Sequence, residues 1–155
     1  TQEGGIATPL IARWPGKVKA GTVTAEVGHI IDFLPTFAEL AGTGYPEKYK
    51  GKDIIKLEGI SLLPVLKGGS RKGHDVLCWY WGGSHAARQG SWKLVWEKTE
   101  KRWALYDLEK DRTETRDLAG QYPQKVDLLK AAYEEWRKRT GAPAPRGPKK
   151  KAGKK

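Results

Sequence analysis

The chain has 155 residues, 38% of them apolar and 30% charged, enough for a modest folded domain with its own core. Its apolar stretches are short and broken by Pro, Asp or Gly, which excludes a helical membrane span, and its single cysteine excludes a disulfide framework or a multi-thiolate zinc site. Six of the net +11 charges fall in residues 146–155, where there is no acid, so residues 1–145 keep only +5 and the basic excess is mostly a tail.

Thr1-Gln2-Glu3-Gly4-Gly5 has neither a basic nor an apolar leader character, so no signal peptide is expected there, and the absence of Met anywhere hints that Thr1 is not a translation start. Gly4-Gly5 permits positive φ and a tight turn into a strand. Leu10, Ile11 and Ala12, just after Pro9, read as a short buried strand closed by the turn Pro15-Gly16-Lys17. Ile30, Ile31, Leu34, Phe37, Ala38 and Ala41 recur at helical spacing, with Gly42 as the cap and Pro35 placing the helix start near Asp32–Thr36. Thr43 to Glu58 reads as a loop rich in Gly, Lys and Tyr. Ser61 stands as an N-cap for a short helix, Leu62 to Leu66, ended by Gly68-Gly69.

From residue 75 the pattern is β. Asp75–Trp81, His85–Gln89, Trp92–Lys98 and Trp103–Leu108 are short runs, mostly rich in aromatic and branched residues, separated by Gly82-Gly83, Gly90-Ser91 and Thr99–Lys101 at hairpin spacing. After a charged loop at 109–121, Pro123 suits the first turn of a helix whose Val126, Leu129, Tyr133 and Trp136 share one face, with Gly141 as its stop. Ala142 to Lys155 is rich in Pro, Gly and Lys and is expected to be disordered. Trp79, Trp81, Trp92, Trp96 and Trp103 fall in the strand region, where aromatic packing is the first reading and a stacking platform for sugars or bases the second. Trp81, beside Gly82-Gly83, is the one expected to be partly exposed.

Self-contained catalysis finds no support. His29, His74 and His85 have no metal-site spacing, and no HExxH, GxSxG or GxxxxGK motif occurs. His29 and Asp32, three apart, read as a local hydrogen bond at a helix start. Asp107, Glu109 and Asp111 are candidate cation ligands or, with Lys and Arg beside them, a solvated turn. Cys78, in Val76-Leu77-Cys78-Trp79-Tyr80-Trp81, reads as a packed core thiol.

Five segments in order carry a family signal. Glu3-Gly4-Gly5-Ile6-Ala7-Thr8-Pro9-Leu10-Ile11-Ala12-Arg13-Trp14-Pro15-Gly16 is followed by Asp32-Phe33-Leu34-Pro35-Thr36-Phe37-Ala38-Glu39-Leu40-Ala41-Gly42 and then by Glu58-Gly59-Ile60-Ser61-Leu62-Leu63-Pro64-Val65-Leu66. Arg88-Gln89-Gly90-Ser91-Trp92-Lys93-Leu94-Val95 and Leu105-Tyr106-Asp107-Leu108-Glu109-Lys110-Asp111 complete the series. Together they resemble the carboxy-terminal portion of the formylglycine-dependent sulfatases, arylsulfatase-like members of the alkaline phosphatase superfamily.

The resemblance implies an α/β fold: the end of the large sulfatase domain over residues 1–70, then a small subdomain over 71–141 with a four-stranded antiparallel sheet packed on a helix. Residues 142–155 would be the disordered basic tail. It implies that the Glu3-Gly4-Gly5 turn lies beside the sulfate pocket, after a sulfate-contacting lysine that would precede Thr1. It also implies that the nucleophile, a Cys or Ser oxidised to formylglycine, and the ligands of a calcium ion lie upstream. Cys78, followed by Trp79-Tyr80, does not match the nucleophile motif. Ala7 stands where many members carry arginine, and Gly83-Ser84-His85-Ala86-Ala87-Arg88 departs from a common Gly-Asn-Arg-Ala-x-Arg pattern. Since that edge faces the substrate opening in the family, His85, Arg88 and Trp81 are the candidate substrate-binding residues, with an exposed hairpin histidine as the plainer reading of His85.

The expected parent reaction is hydrolysis of a sulfate ester to an alcohol and sulfate, on a sulfated small molecule or polysaccharide, in a periplasmic or secreted enzyme. The chain alone would be inactive and would need the N-terminal part of the same protein as its partner. Two rivals remain open: a phosphate- or phosphonate-ester hydrolase on the same scaffold, and a non-catalytic polysaccharide- or polyanion-binding module.

Overall fold

The computed structural model describes residues 1–145. Its elements, in chain order, are α1 (Glu3–Ile6), a 3-10 turn (Ile30–Asp32), α2 (Phe33–Leu40), β1 (Lys48–Tyr49), β2 (Lys52–Asp53), α3 (Leu63–Leu66), β3 (Leu77–Trp81), β4 (Ser84–Gln89), β5 (Trp92–Glu97), β6 (Arg102–Asp107) and α4 (Pro123–Thr140). They form two units, one of residues 1–9 together with 75 onward, the other of residues 10–74. The stretch 146–155 of the expected tail lies outside the described residues.

The first unit is an antiparallel meander, β3-β4-β5-β6, with α4 packed on one face. Gly82 and Gly83 both take positive φ, the backbone that a two-residue hairpin needs to match strand twist. The register Cys78↔Ala87, Ala87↔Leu94 and Leu94↔Leu105 aligns small and branched side chains across the sheet. They meet Val126, Leu129 and Tyr133 of α4, whose spacing of three and four puts them on one stripe. Trp92, Trp103 and Trp136 are partly buried at the margins of this core. On the other face of the sheet Ala86, Val95, Ala104 and Tyr106 form a second cluster with Leu108 and Trp79. Pro123 opens α4 and Gly141, at φ 74°, closes it in the left-handed conformation.

The second unit holds α2, α3 and a minimal hairpin, β1-β2, where the sequence predicts only a loop. Ser61 accepts from the Leu63 N–H at 3.1 Å, which supports the start of α3 although the helix itself begins two residues later. Two expectations fail. Leu10–Ala12 is not a strand, and Ile11 is 90% exposed; a strand needs a neighbour for its backbone groups, and the described residues offer none there. Gly4 and Gly5 do not turn through positive φ but sit inside the single turn of α1.

Candidate functional site

Alternation along β3 and β4 decides where the three candidate substrate residues stand. Tyr80 pairs with His85 and Trp81 with Ser84, so His85 shares the helix-facing side with Ala87, while Trp81 and Arg88 belong to the opposite side. Trp81, at the end of β3, is 81% exposed. Arg88 is half-buried, and its Nε donates to the Gly90 carbonyl at 2.9 Å across the β4–β5 turn.

His85 is neither a rim residue nor an exposed hairpin histidine. It is 1% exposed, with Nδ1 2.6 Å from the Tyr133 hydroxyl, and its ring lies among those of Tyr80, Trp103 and Tyr133. The placement follows from parity: position 85 faces α4, and α4 brings a tyrosine there. Burial lowers the imidazole pKa; Glu134 opposes this and Arg137 adds to it. The Tyr133 hydroxyl is pushed up to about 12, chiefly by burial. The three candidates are thus not brought together; only Trp81 and Arg88 share a face.

That face carries a group of charges that sequence reasoning missed. Lys93, on β5 between Trp92 and Leu94, is wholly buried. Its Nζ lies 2.7 Å from Glu3 Oε1 and 2.9 Å from Glu114 Oε1, and 5.9 Å from the centroid of the Trp79 ring. Glu114 also accepts the Glu3 N–H at 2.6 Å, from a backbone held at φ 56°. Gln2 Nε2 donates to Glu97 at 3.1 Å and Thr1 Oγ1 to the His85 carbonyl at 3.2 Å, so residues 1–6 are laid onto the sheet. Beside them is an open concavity of about 360 Å³ lined by Thr1, Gln2, Gly4, Gly5, Thr113 and Glu114. The alternation of Trp92, Lys93 and Leu94 points to a side chain facing away from the core; nothing local shows that a segment ninety residues earlier covers it.

Residues 10–74 contain a second buried network, around Asp32. The carboxylate accepts from the His29 N–H at 2.9 Å, the Ile60 N–H at 2.9 Å and Arg71 Nη2 at 2.8 Å, and His74 Nε2 lies 2.7 Å away. Arg71 also donates to the carbonyls of Val27 and Ile60. Burial alone would raise the Asp32 pKa, but the Arg71 bond, the two N–H groups and His74 outweigh it and hold the group below the usual carboxylate range. His29 is held low, first by burial. The expected His29–Asp32 bond is therefore present, as a reciprocal cap: Ile31 N–H donates to His29 Nδ1. Its larger setting, with Arg71 and His74, has no sequence signal because the partners are some forty residues away.

No group of three or more Asp, Glu, His or Cys side chains among the described residues is arranged to hold a metal. Asp111 spends its oxygens on the N–H groups of Thr115 and Arg116 and on the hydroxyls of Thr113 and Thr115. Glu109 is exposed, but Asp107 is buried, so the solvated-turn reading does not hold for all three carboxylates. No helix among the described residues is long and apolar enough to cross a membrane.

The family model for the C-terminal region of N-sulphoglucosamine sulphohydrolase matches residues 1–139. The chain belongs to this sulfatase family. An uncharacterized sulfatase of Schizosaccharomyces pombe is 33% identical over 140 residues, covering 86% of this chain and 25% of that protein. Human arylsulfatase A is 35% identical over 161 residues, covering 84% of this chain and 30% of that protein. A solved structure described as bound to its substrate D-glucosamine-2-N,6-O-disulfate is 25% identical, with a TM-score of 0.60 over 86% of this chain and 28% of the other. The chain spans about a quarter of the length of the first two curated relatives it matches.

Proposed function

We propose that this sulfatase-family chain is the C-terminal part of an enzyme that hydrolyses sulfate esters to an alcohol and sulfate. The observation that carries the reading is the family match over residues 1–139, on a chain that contains no nucleophile motif and spans a quarter of its curated relatives. The nucleophile, as formylglycine, and the calcium ligands would come from sequence preceding Thr1, and residues 1–155 alone would be inactive. The same upstream sequence is the partner that would cover α2, whose Phe33, Leu34, Phe37 and Leu40 are exposed. We place the enzyme outside the cytoplasm on the family resemblance.

A sulfated sugar is the substrate class we favour, since the 25%-identical neighbour was solved with a sulfated glucosamine. On this reading the Glu3–Ile6 segment borders the substrate, and Trp81 and Arg88, sharing one face of the sheet, supply an indole for stacking on a sugar ring and a guanidinium for its anionic groups. His85 contributes from the interior, by packing.

The test is turnover of a chromogenic aryl sulfate and of sulfated glucosamines by the full-length protein with calcium, beside residues 1–155 alone. Sulfate release by the long form and none by the short one is the expected result. A full-length protein that cleaves phosphate monoesters and no sulfate ester would overturn the reaction assignment, and turnover by residues 1–155 would overturn the division of labour.

A further inference from the structure

We infer that Lys93 is a positioning residue, which sets from inside the sheet where the Thr1–Ile6 segment stands and so shapes a wall of the substrate site. The inference rests on the sulfatase reading above, in which that segment borders the substrate.

Burying a lysine head group is costly unless carboxylates stand where water would, and here two lie 2.7 and 2.9 Å from Lys93 Nζ. The three charges belong to three separate pieces of chain: Lys93 to β5, Glu3 to α1, and Glu114 to the loop after β6. The Glu3 N–H bonded to Glu114 closes the triangle. One cation therefore holds two carboxylates that would otherwise face each other with nothing between them. Removing it turns an attraction into a repulsion at the point where α1 meets the sheet. Two further ties of the segment, Gln2 to Glu97 and Thr1 to the His85 carbonyl, are single hydrogen bonds at exposed or partly buried positions.

The concavity makes the functional link. One wall is Thr1, Gln2, Gly4 and Gly5, and the other is Thr113 and Glu114. Lys93 lines neither, yet it is paired to Glu3 on the first and to Glu114 on the second. Lys93 thus ties both sides of the concavity together without being among the residues that line it. For such a residue the expected signature is lost reaction geometry, because a wall displaced by about 1 Å can cost on the order of a hundredfold in rate.

The experiment uses the full-length protein carrying Lys93→Met, Glu3→Gln or both, assayed well below the melting temperature of each. Lys93→Met should lower kcat/KM for a sulfate ester about ten- to a hundredfold, mostly in kcat, with an unchanged far-UV spectrum. Because the two side chains act through one contact, the double variant should be no worse than Lys93→Met. A folded Lys93→Met enzyme within twofold of the parent in kcat/KM would overturn the inference, as would a loss that lies wholly in thermal stability. Should Lys93→Met fail to fold, Glu3→Gln alone decides: it leaves Lys93 paired to Glu114 and must still lower kcat/KM. Hydrogen exchange separates this inference from the reading beneath it. If the parent enzyme turns over no sulfate ester, faster exchange at Gly4, Gly5 and Ile6 in Lys93→Met still supports the positioning of the segment, and unchanged exchange overturns it.

Discussion

In the unit built on residues 75 onward, Ala87, Leu94 and Leu105 on the sheet meet Val126, Leu129 and Tyr133 on α4, and all six are buried. In residues 10–74 the helix is turned the other way. Asp32 and Thr36 face inward, where Thr36 Oγ1 donates to the Asp32 carbonyl and accepts from the Leu62 N–H, while Phe37 is 61% exposed and Phe33, Leu34 and Leu40 are exposed beside it. The two regions teach that a buried polar network can hold local geometry beside only a small apolar contribution, here Leu62 and Leu63. They also teach that an apolar stripe can be conspicuous in a sequence without belonging to the core of the chain that carries it. Under the reading proposed above, that stripe is a surface made for the rest of the enzyme.

The sharpest way to break this comparison is Tyr133→Ala, which removes the side chain shared by the core and His85. It should cost about 3–5 kcal/mol in denaturant unfolding followed by tryptophan fluorescence. A loss below about 1 kcal/mol would mean that α4 is not the keystone of its unit. Next, Asp32→Asn should weaken the second unit by about 2–3 kcal/mol, seen as faster amide exchange at His29 and Ile60, because Arg71 then keeps a neutral partner in place of a charged one. Equal exchange in the variant would show that the polar network is ornamental.

A smaller effect is expected from pH. Burial holds the folded His85 pKa below its unfolded value near 6.5, so the unfolded chain binds more protons in the window beneath that value. Stability of the sheet unit is therefore full above pH 6.5 and is lost as pH falls through the folded pKa, by at most about 1.4 kcal/mol per pH unit. His85→Gln should flatten that slope; an unchanged slope would assign it to other groups. Smallest of all, Phe37→Ser should alter the stability of residues 1–155 by no more than about 0.5 kcal/mol while reducing the binding of a hydrophobic dye. A core-sized loss would show that α2 already has its cover.

The strands were legible because their signals are local. Aromatic and branched runs, Gly-Gly at a two-residue turn and Pro123 with Gly141 around an apolar stripe each dictate backbone within a few residues. The four strands come out within two residues of their predicted bounds, with β6 starting one residue early. Leu10–Ala12 misled for the opposite reason: apolarity marks a segment as wanting burial, but pairing depends on a neighbour that the segment does not contain. The site was less legible still. His85 lies inside because of its parity against a helix nearly fifty residues on, and Lys93 is covered by Glu3 from the start of the chain and Glu114 from the loop after β6. Neither placement leaves a trace within one strand.

Glu114 is caught between two demands that no single amino acid meets. Its φ of 56° is a conformation that glycine adopts freely, and asparagine and aspartate more readily than glutamate. A glycine there would relax the backbone and leave Lys93 with one carboxylate, while an aspartate would ease the backbone and fall a methylene short of the ammonium. Single substitutions at this position are thus stranded between a comfortable chain and a complete charge pair, and a second change, at Lys93 or Glu3, has to come with them. For anyone redesigning this domain, the three residues are one unit of inheritance, to be exchanged together or left alone.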